Sequence, residues 1–281
     1  MRKGRLCLLG SALIYGILPV FAKHVTISGC DSVTLVFLRS ALSLPLLFII
    51  MKRKGVDMHL SKSELVKTAI LGAGGNAPAM VLLYSAYAIS AVGVASMLHF
   101  VYPFIIVIAC ALLFREKIPL LKWMGTALAA CGVILSLDMK TNALGAVLAV
   151  MSGVFYAFFV IYMDKSGIDG MNYLKLTFYI SVIMSLAALA MCIMGDGINL
   201  PQNAGGWISS MLVSVLTTIF AIPLFQAGVK YEGAAEAGII SMTEPVTGII
   251  IGTFLLGEKI TLIGIVGCVL ISIGIFCVEK A

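Results

Sequence analysis

The sequence predicts an all-α membrane protein in which ten transmembrane helices form two five-helix repeats of opposite orientation (a 5+5 inverted-topology repeat). Of its 281 residues, 61% are hydrophobic and only 11% are charged, whereas soluble globular domains carry about 45–50% apolar and about 25% charged residues. The mean hydropathy is +1.10. This composition argues against a soluble enzyme and a disordered chain. It also argues against a nucleic-acid-binding protein, since the basic residues behind the net charge of +6 sit in short loops.

Ten apolar segments reach the length of roughly 20 residues that a membrane helix requires. They leave too little chain for a domain outside the membrane, and none alternates as the strands of a transmembrane barrel do. The first segment follows Arg2, Lys3 and Arg5 as in a signal peptide, but nine further spans favour an uncleaved helix. The predicted spans cover residues 6–22, 31–51, 66–89, 93–114, 119–137, 142–163, 173–194, 207–229, 233–256 and 260–278.

The distribution of Lys and Arg predicts the orientation of the chain. If the first span starts inside, fifteen of the 19 basic residues flank the inner ends of spans, and three, Lys23, Lys140 and Lys259, flank the outer ends. Arg39 lies within a span. Because cytoplasmic loops are enriched in Lys and Arg, we expect a multi-pass protein of the plasma (inner) membrane with both termini in the cytoplasm.

The chain matches itself at a constant offset of 142 residues, with six identities and no gap. A weaker match at offset 141 aligns Ser11 and Tyr15 with Ser152 and Tyr156. Each copy holds five spans, an odd number, so the two copies must lie oppositely across the bilayer. The predicted repeats are residues 1–139 and 140–281. The identities are Pro103 with Pro245, Glu116 with Glu258, Lys117 with Lys259, Ile118 with Ile260, Gly125 with Gly267 and Gly132 with Gly274.

In each copy a proline is followed, about a dozen apolar residues later, by Glu-Lys-Ile and then by two glycines seven residues apart. With ten spans in an inverted repeat, this pattern resembles the drug/metabolite transporter (DMT) superfamily, EamA type, over nearly the whole chain. The resemblance implies a secondary transporter with its site near the membrane midplane, where the halves meet. Members of the family move amino acids, nucleosides, drugs and other small metabolites. The helices equivalent to spans 4 and 9 border their substrate pathway.

If the ends of the helices are left aside, three ionisable side chains stand out inside predicted spans, where such groups are costly and indicate function. At 1.5 Å per residue, Arg39, His99 and Glu244 lie about 12, 9 and 18 Å below the outer ends of their spans. These depths overlap, so we expect the three side chains to share one polar cavity.

Glu244 is the strongest of these candidates because it lies mid-span, directly before Pro245, whose missing N–H frees backbone carbonyls one turn earlier. It is predicted to bind an amine or to exchange a proton as the site alternates its access. The alternative is a permanent structural pair with Arg39, and Glu-Pro is common at this place in the family. Arg39 in turn is either such an anchor or the clamp for a substrate carboxylate.

His99 is the second candidate proton carrier, because histidine titrates in the physiological range by default. The alternative is a core histidine whose hydrogen bonds are satisfied within the protein. At the offset of 142, His99 corresponds to Ser241 and Tyr102 corresponds to Glu244. Each pair is three residues apart on one helix face, so the two faces are expected to meet across the pseudo-twofold axis.

Uncharged polar and aromatic residues complete the predicted substrate pocket. Tyr15 and Tyr156 are repeat equivalents, as are Tyr84 and Gln226, and Asn76 stands just before Pro78 after three glycines. Breaks in helices near the site are typical of such carriers. The glycines favour packing within a monomer over a homodimer. The predicted hinge and packing residues are Pro78, Pro103, Pro245, Gly248 and Gly252.

The sequence contains no motif for nucleotide hydrolysis, metal binding or nucleophilic catalysis, and its seven cysteines are scattered singly. We expect no cofactor, no metal and no enzymatic activity. The predicted function is secondary transport, in the direction of export, of a small organic metabolite. Amino acids are favoured because a carboxylate and an arginine together suit a zwitterion. A nucleoside or drug carrier that is not coupled to protons is the alternative, and a channel or lipid scramblase is more remote.

Overall fold

The structure, a computed structural model, describes residues 2–90, 92–135, 142–168, 170–244 and 246–247, together with 266–267, 269–270, 272–274 and 276. Every regular element in this part of the chain is helical. Two π-helical segments, Ile70–Asn76 and Leu216–Ala221, join α4 to α5 and α11 to α12. The α-helices are α1 (Arg2–Ile27), α2 (Ser32–Ala41), α3 (Leu44–Arg53), α4 (Lys62–Ala69), α5 (Ala77–Ile89), α6 (Val92–His99), α7 (Tyr102–Leu112), α8 (Leu120–Leu135), α9 (Ala143–Lys165), α10 (Tyr173–Met194), α11 (Ala204–Val215) and α12 (Ile222–Ser241).

Seven helical stretches within the described residues are long and apolar enough to cross a membrane. Six of them overlap predicted spans 1–4, 6 and 7, and the seventh, Ala204–Ser241, contains predicted span 8 and the start of span 9. Within that stretch Gly233 leaves the helical conformation, with φ 84° and ψ 170°, which glycine adopts without a steric penalty. The chain therefore turns where span 9 was predicted to begin. At predicted span 5 the helix α8 has 16 residues, and most of predicted span 10 lies outside the described residues.

Polar side chains determine where several helices begin. Asp31 accepts hydrogen bonds from the backbone N–H groups of Val33 and Thr34, each at 2.9 Å, and from the Thr34 hydroxyl at 2.7 Å. Such caps satisfy N–H groups that the first turn of a helix leaves unpaired. The same role is taken at α9, α10 and α11 by Asn142, Asn172 and Asn203.

Prolines coincide with irregular backbone inside four of the predicted spans. Pro45 and Pro103 are the second residues of α3 and α7, directly after the short links that separate these helices from α2 and α6. Pro78 and Pro223 are the second residues of α5 and α12, directly after the π-helical segments. A proline has no N–H and its ring clashes with the carbonyl four residues earlier. Hydrogen bonding before Pro78 and Pro223 is accordingly shifted, and the preceding residue's N–H bonds to the carbonyl five residues back.

The main helix contacts join residues before 137 to residues after 143. α1 packs along α11 and α12, α9 packs against α5, α6 and α7, and α2 packs against α10. Large apolar side chains such as Leu112, Leu113 and Met194 are exposed on the outside, as a surface in contact with lipid requires. The polar and aromatic side chains of the candidate site lie in the interior between these helices.

Candidate functional site

Eight of the ten side chains predicted to bind substrate come together in the interior, where they form the central cluster. Arg39, Tyr84, His99, Tyr102, Tyr156 and Ser241 are buried, and Tyr15 and Glu244 are half-buried. Seven of the eight belong to α1, α2, α5, α6, α7, α9 and α12, in that order along the chain, and Glu244 follows α12 by three residues.

Aromatic rings form the middle of the central cluster. The rings of Tyr102 and Tyr156 meet edge to face, with centroids 4.8 Å apart and an interplanar angle of 77°. The imidazole of His99 lies 5.2 Å from the first ring and 5.3 Å from the second. Phe159 and Phe225 extend this group at 5.6 and 6.2 Å from Tyr156. The arrangement offers ring faces and edges to an apolar or cationic group.

The protonation pattern of His99 follows from its partner. Its Nδ1 lies 2.7 Å from Ser152 Oγ, and Ser152 Oγ lies 2.7 Å from the carbonyl oxygen of Ala149. A hydroxyl has one hydrogen and a carbonyl can only accept. Both bonds form together only if Ser152 donates to Ala149 and the Nδ1–H of His99 donates to Ser152. A neutral His99 therefore keeps Nε2 as its acceptor.

Arg39 is held by uncharged groups. Its Nη1 donates to the hydroxyl of Tyr84 at 3.1 Å, and its backbone carbonyl accepts from Ser214 Oγ at 2.7 Å. Tyr15 and Tyr156 are its further electrostatic neighbours. Among the described residues, no carboxylate lies within 4.0 Å of the guanidinium. The buried cation thus keeps N–H groups that are not neutralised by an ion pair.

Glu244 lies against tyrosines. It faces the hydroxyl of Tyr102, and it is an electrostatic neighbour of Tyr15, Tyr87 and Tyr156. Within the part of the chain that the structure describes, no basic side chain lies within 4.0 Å of its carboxyl group. The Tyr102 hydroxyl is fully buried and makes no hydrogen bond of normal geometry to a described residue.

Close packing of α1 brings Tyr15 beside Glu244. The next residue, Gly16, has no side chain, and a Cβ there would lie 2.9 Å from the carbonyl oxygen of Glu244 and 2.6 Å from Cβ of Thr247. The backbone of α1 therefore touches the segment that carries Glu244. This contact places an acid, a buried arginine and several tyrosines from five helices in one region.

Two predicted pocket residues, Gln226 and Asn76, make no hydrogen bond to a described residue of the central cluster. Gln226 accepts a hydrogen bond from Thr177 Oγ1 at 3.0 Å, and it lines a small cavity together with Met163 and Lys230. Asn76 ends the first π-helical segment, and its buried Oδ1 has no partner among the described residues. Of the predicted hinge residues, Pro78 and Pro103 begin α5 and α7, whereas Pro245, Gly248 and Gly252 lie outside the described residues.

Two residues of the site, Ser152 and Tyr87, are not among the candidate site residues that the sequence predicts. Ser152 orients His99, and Tyr87 contacts Ser96 through its hydroxyl at 2.8 Å and stacks near Tyr84, with centroids 5.9 Å apart. A sequence signal existed for both. Ser152 is the repeat equivalent of Ser11, and Tyr87 follows Tyr84 by three residues and so shares its helix face.

Comparison with known proteins gives relatives that are transporters. An uncharacterized transporter of Archaeoglobus fulgidus is 25% identical over 276 residues, which cover 98% of this chain and 96% of that protein. An uncharacterized transporter of Synechocystis sp. is 26% identical over 207 residues. That match covers 70% of this chain but only 61% of the Synechocystis protein.

A solved crystal structure has the same fold. It superimposes with a TM-score of 0.82, at 15% sequence identity, and the match covers 99% of this chain and 97% of that one. At this level of identity the likeness describes the fold alone.

The sequence also matches one transporter family twice, over residues 2–137 and over residues 143–279. Family and relatives are transporters rather than enzymes. The match agrees with the DMT superfamily and indicates a multi-pass membrane protein with a small-molecule substrate. Interior polar groups, an apolar exterior and a family match over both halves lead to the same conclusion: the chain belongs to the EamA-like transporter family.

Proposed function

We propose that the protein is a secondary transporter for a small zwitterionic metabolite, an amino acid or a close relative, bound in the central cluster. The observation that carries this proposal is the presence of Arg39 and Glu244 in one interior region without an ion pair between them. An arginine fork suits a carboxylate. A carboxylate beside tyrosine rings suits an ammonium group.

In the proposed binding mode, the substrate carboxylate takes N–H groups of Arg39 that Tyr84 does not use, and the ammonium lies between Glu244 and the tyrosine rings. The hydroxyl of Tyr102 faces Glu244 and makes no hydrogen bond of normal geometry to a described residue, so it is a further donor for the bound substrate. Pairing both substrate charges in this way offsets the cost of taking them out of water.

We propose further that ten helices form two inverted five-helix halves, residues 1–139 and 140–281, and that the halves rock around the site. The double family match supports this division. The helix packing supports it as well. The first helix of each repeat packs against the third and fourth spans of the other repeat: α1 packs against α11 and α12, and α9 packs against α5, α6 and α7. A third support is that each of two equivalent spans, predicted spans 3 and 8, contains a π-helical segment before a proline, Pro78 or Pro223, although the two prolines are three residues out of the 142-residue register. The charge distribution supports cytoplasmic termini, and we expect transport in the direction of export.

Proton coupling is the proposed energy source, with Glu244 and His99 as carriers. Its support is geometric: Glu244 lies outside any ion pair with a described basic residue, and His99 offers Nε2 as an acceptor. In this scheme a proton on Glu244 and a substrate ammonium alternate at the same carboxyl group.

The test is counterflow into proteoliposomes that contain the purified protein, with an amino-acid panel and a nucleoside panel at two internal pH values. We expect saturable amino-acid exchange, and we expect Glu244→Gln to remove its pH dependence. Asp196→Asn, which neutralises an exposed loop carboxylate, is the matched control and should behave as wild type. Exchange of nucleosides or aromatic drugs through an unimpaired Glu244→Gln variant would overturn the zwitterion proposal.

The second candidate, a carrier for nucleosides or aromatic drugs, is favoured by the edge-to-face pair of Tyr102 and Tyr156 beside His99. Stacking on these rings needs no charge on the substrate. Transport of that class should therefore depend on Tyr156 and be indifferent to Arg39, which the same panels measure with Tyr156→Leu and Arg39→Gln.

A further inference from the structure

Among the described residues, the ion pairs are confined to one end of the helix bundle. All six ion-pair contacts between described residues lie at the end where α1 begins, named here the N-terminal end. Five of the six join a residue before 137 to a residue after 143 and so bridge the two family-matched segments. The contacts are Arg5–Glu232, Arg5–Glu236, Lys122–Glu236, Lys165–Glu116, Lys175–Glu64 and the local pair Lys165–Asp164.

Four of these residues form a connected group, the Glu236 cluster, which consists of Arg5, Lys122, Glu232 and Glu236. Arg5 lies 3.2 Å from Glu236 and 3.5 Å from Glu232, and Lys122 contacts the second oxygen of Glu236. The two glutamates are only 6–7% exposed, and the two basic side chains are 21–24% exposed. Two acids and two bases thus neutralise each other at the junction of α1, α8 and α12.

Backbone geometry builds this cluster. The turn at Gly233, with φ 84°, separates Glu232 at the end of one helical segment from Glu236 in the first turn of the next, and both reach Arg5. At Gly4, a Cβ would lie 2.6 Å from Oε1 of Glu232. The absence of a side chain there lets the first turn of α1 approach the turn at Gly233.

At the opposite end, the described residues of the two segments are joined by close packing and hydrogen bonds. There the start of α9 packs so tightly on the end of α5 that a Cβ at Gly145 would overlap Ser90 Oγ. Backbone N–H groups of Gln202 and Asn199 donate to Ser28 O at 2.9 Å and to Thr34 Oγ1 at 3.1 Å. No ion pair joins described residues at this end. Among the described residues, ion pairs thus join the two segments at the N-terminal end, whereas packing and hydrogen bonds join them at the opposite end.

We propose that the Glu236 cluster is the gate that keeps the N-terminal end closed, and that its charge pairing sets how often this end opens. The inference rests on the proposed function, because a carrier with alternating access must separate its halves at one end at a time. Opening at this end moves α1 and α8 away from the Gly233 turn and breaks all three ion-pair contacts of the cluster. Breaking a mostly buried pair by removing one partner is costly, since the remaining charge stays uncompensated.

The test is hydrogen–deuterium exchange of the full chain in lipid nanodiscs, with Glu236→Gln compared with wild type. We expect the peptides around Arg5, Lys122 and Gly233 to exchange at least about tenfold faster, a factor that corresponds to about 1.4 kcal/mol. Peptides at the opposite end, around Ser90 and Gln202, should be unchanged. The control Asp196→Asn should match wild type at both ends.

A charge exchange distinguishes a gate from loss of packing. Glu236→Lys alone should open the N-terminal end further, because it places three bases together, and adding Lys122→Glu should slow exchange again. Unchanged exchange in Glu236→Gln overturns the gate, as does faster exchange at both ends alike. The measurement needs no solute. If Glu236→Gln speeds hydrogen exchange at the N-terminal end but the protein transports no solute of the panels, the gate is supported and the substrate assignment is wrong. If the protein transports a solute of the panels but Glu236→Gln leaves hydrogen exchange unchanged, only the gate is wrong.

Discussion

Arg39 donates a hydrogen bond to the hydroxyl of Tyr84 at 3.1 Å, so a buried cation of one span is held by a neutral group of another. Among the described residues no carboxylate lies within 4.0 Å of the guanidinium, so this bond leaves it charged and able to receive an anionic group. A carboxylate partner in that place would cancel the charge instead.

We expect Tyr84→Phe to destabilise the protein by about 1.5–3 kcal/mol, the range for a hydrogen bond to a charged group. Thermal unfolding in detergent measures the change. Tyr162→Phe is the matched control, because the Tyr162 ring stacks on Phe158 and no hydrogen bond of its hydroxyl occurs among the described residues. Equal melting temperatures for the two variants would contradict the role of the Tyr84 hydroxyl.

The bond from His99 to Ser152 gives a second prediction. Ser152→Ala leaves the buried Nδ1–H of His99 without its acceptor, which we expect to cost about 1–3 kcal/mol of unfolding free energy. His99→Asn keeps an N–H donor near the Nδ1 position and should retain most of the stability while losing the Nε2 acceptor. If His99 carries protons, this variant also loses the pH dependence of counterflow. A stable Ser152→Ala protein would show that the tautomer is not fixed by this bond.

Asp31, which caps α2 and precedes the apolar helical stretch Ser32–Arg53, gives a prediction about pH. Partial burial disfavours its charged form, but hydrogen bonds from Thr34, Asn199 and Val33 outweigh this effect and lower the pKa of the carboxyl group. A folded-state pKa below the unfolded value means that the carboxylate contributes stability above the unfolded pKa of about 3.9. This contribution is lost as the pH falls through the lower, folded value.

We therefore expect Asp31→Ala to lower stability at pH 7 by about 1 kcal/mol, the typical value of an N-cap. The difference from wild type should shrink at pH values below 4, and melting curves across that range measure it. Asp31→Asn keeps a capping oxygen and should remove the pH dependence with a smaller loss. If the difference in stability between Asp31→Ala and wild type stays constant at all pH values below 4, the stabilising role of the Asp31 carboxylate is contradicted.

How far the sequence predicts this molecule depends on the kind of interaction. The helices can be predicted from apolar runs and from the polar residues that interrupt these runs, because a helix depends on the local sequence pattern. The depths of Arg39, His99 and Glu244 predict a shared site, and the structure brings these residues together with four tyrosines. Gln226 is bonded instead to Thr177, although it is the repeat equivalent of Tyr84. Equivalent positions in the two repeats can therefore carry side chains with different contacts, as Tyr84 and Gln226 do.

The interactions that the sequence does not predict are those made between distant segments. Glu236 belongs to the first turn after Gly233 and appears at a span end, where a charged residue needs no explanation. Its contacts with Arg5 and Lys122 join residues more than 100 positions apart. Only the fold shows that basic residues at this end, which serve in the sequence to predict the orientation of the chain, also pair with acids of the other family-matched segment.

The last prediction concerns the end of the bundle opposite the Glu236 cluster. Gly145→Ala places a methyl group on Ser90 Oγ, and overpacking of this kind costs about 1–3 kcal/mol. Gly74→Ala is the control, because a Cβ at Gly74, which lies in the first π-helical segment, meets no atom within 4 Å. We expect Gly145→Ala to lower the melting temperature more than Gly74→Ala does, and adding Ser90→Ala to Gly145→Ala should recover most of the loss. If the two ends close alternately, Gly145→Ala should also speed hydrogen exchange around Ser90 and leave the peptides around Glu236 unchanged, the reverse of Glu236→Gln. Faster exchange around Glu236 in Gly145→Ala would mean that the two ends open together, and alternating access would have to be abandoned for this protein.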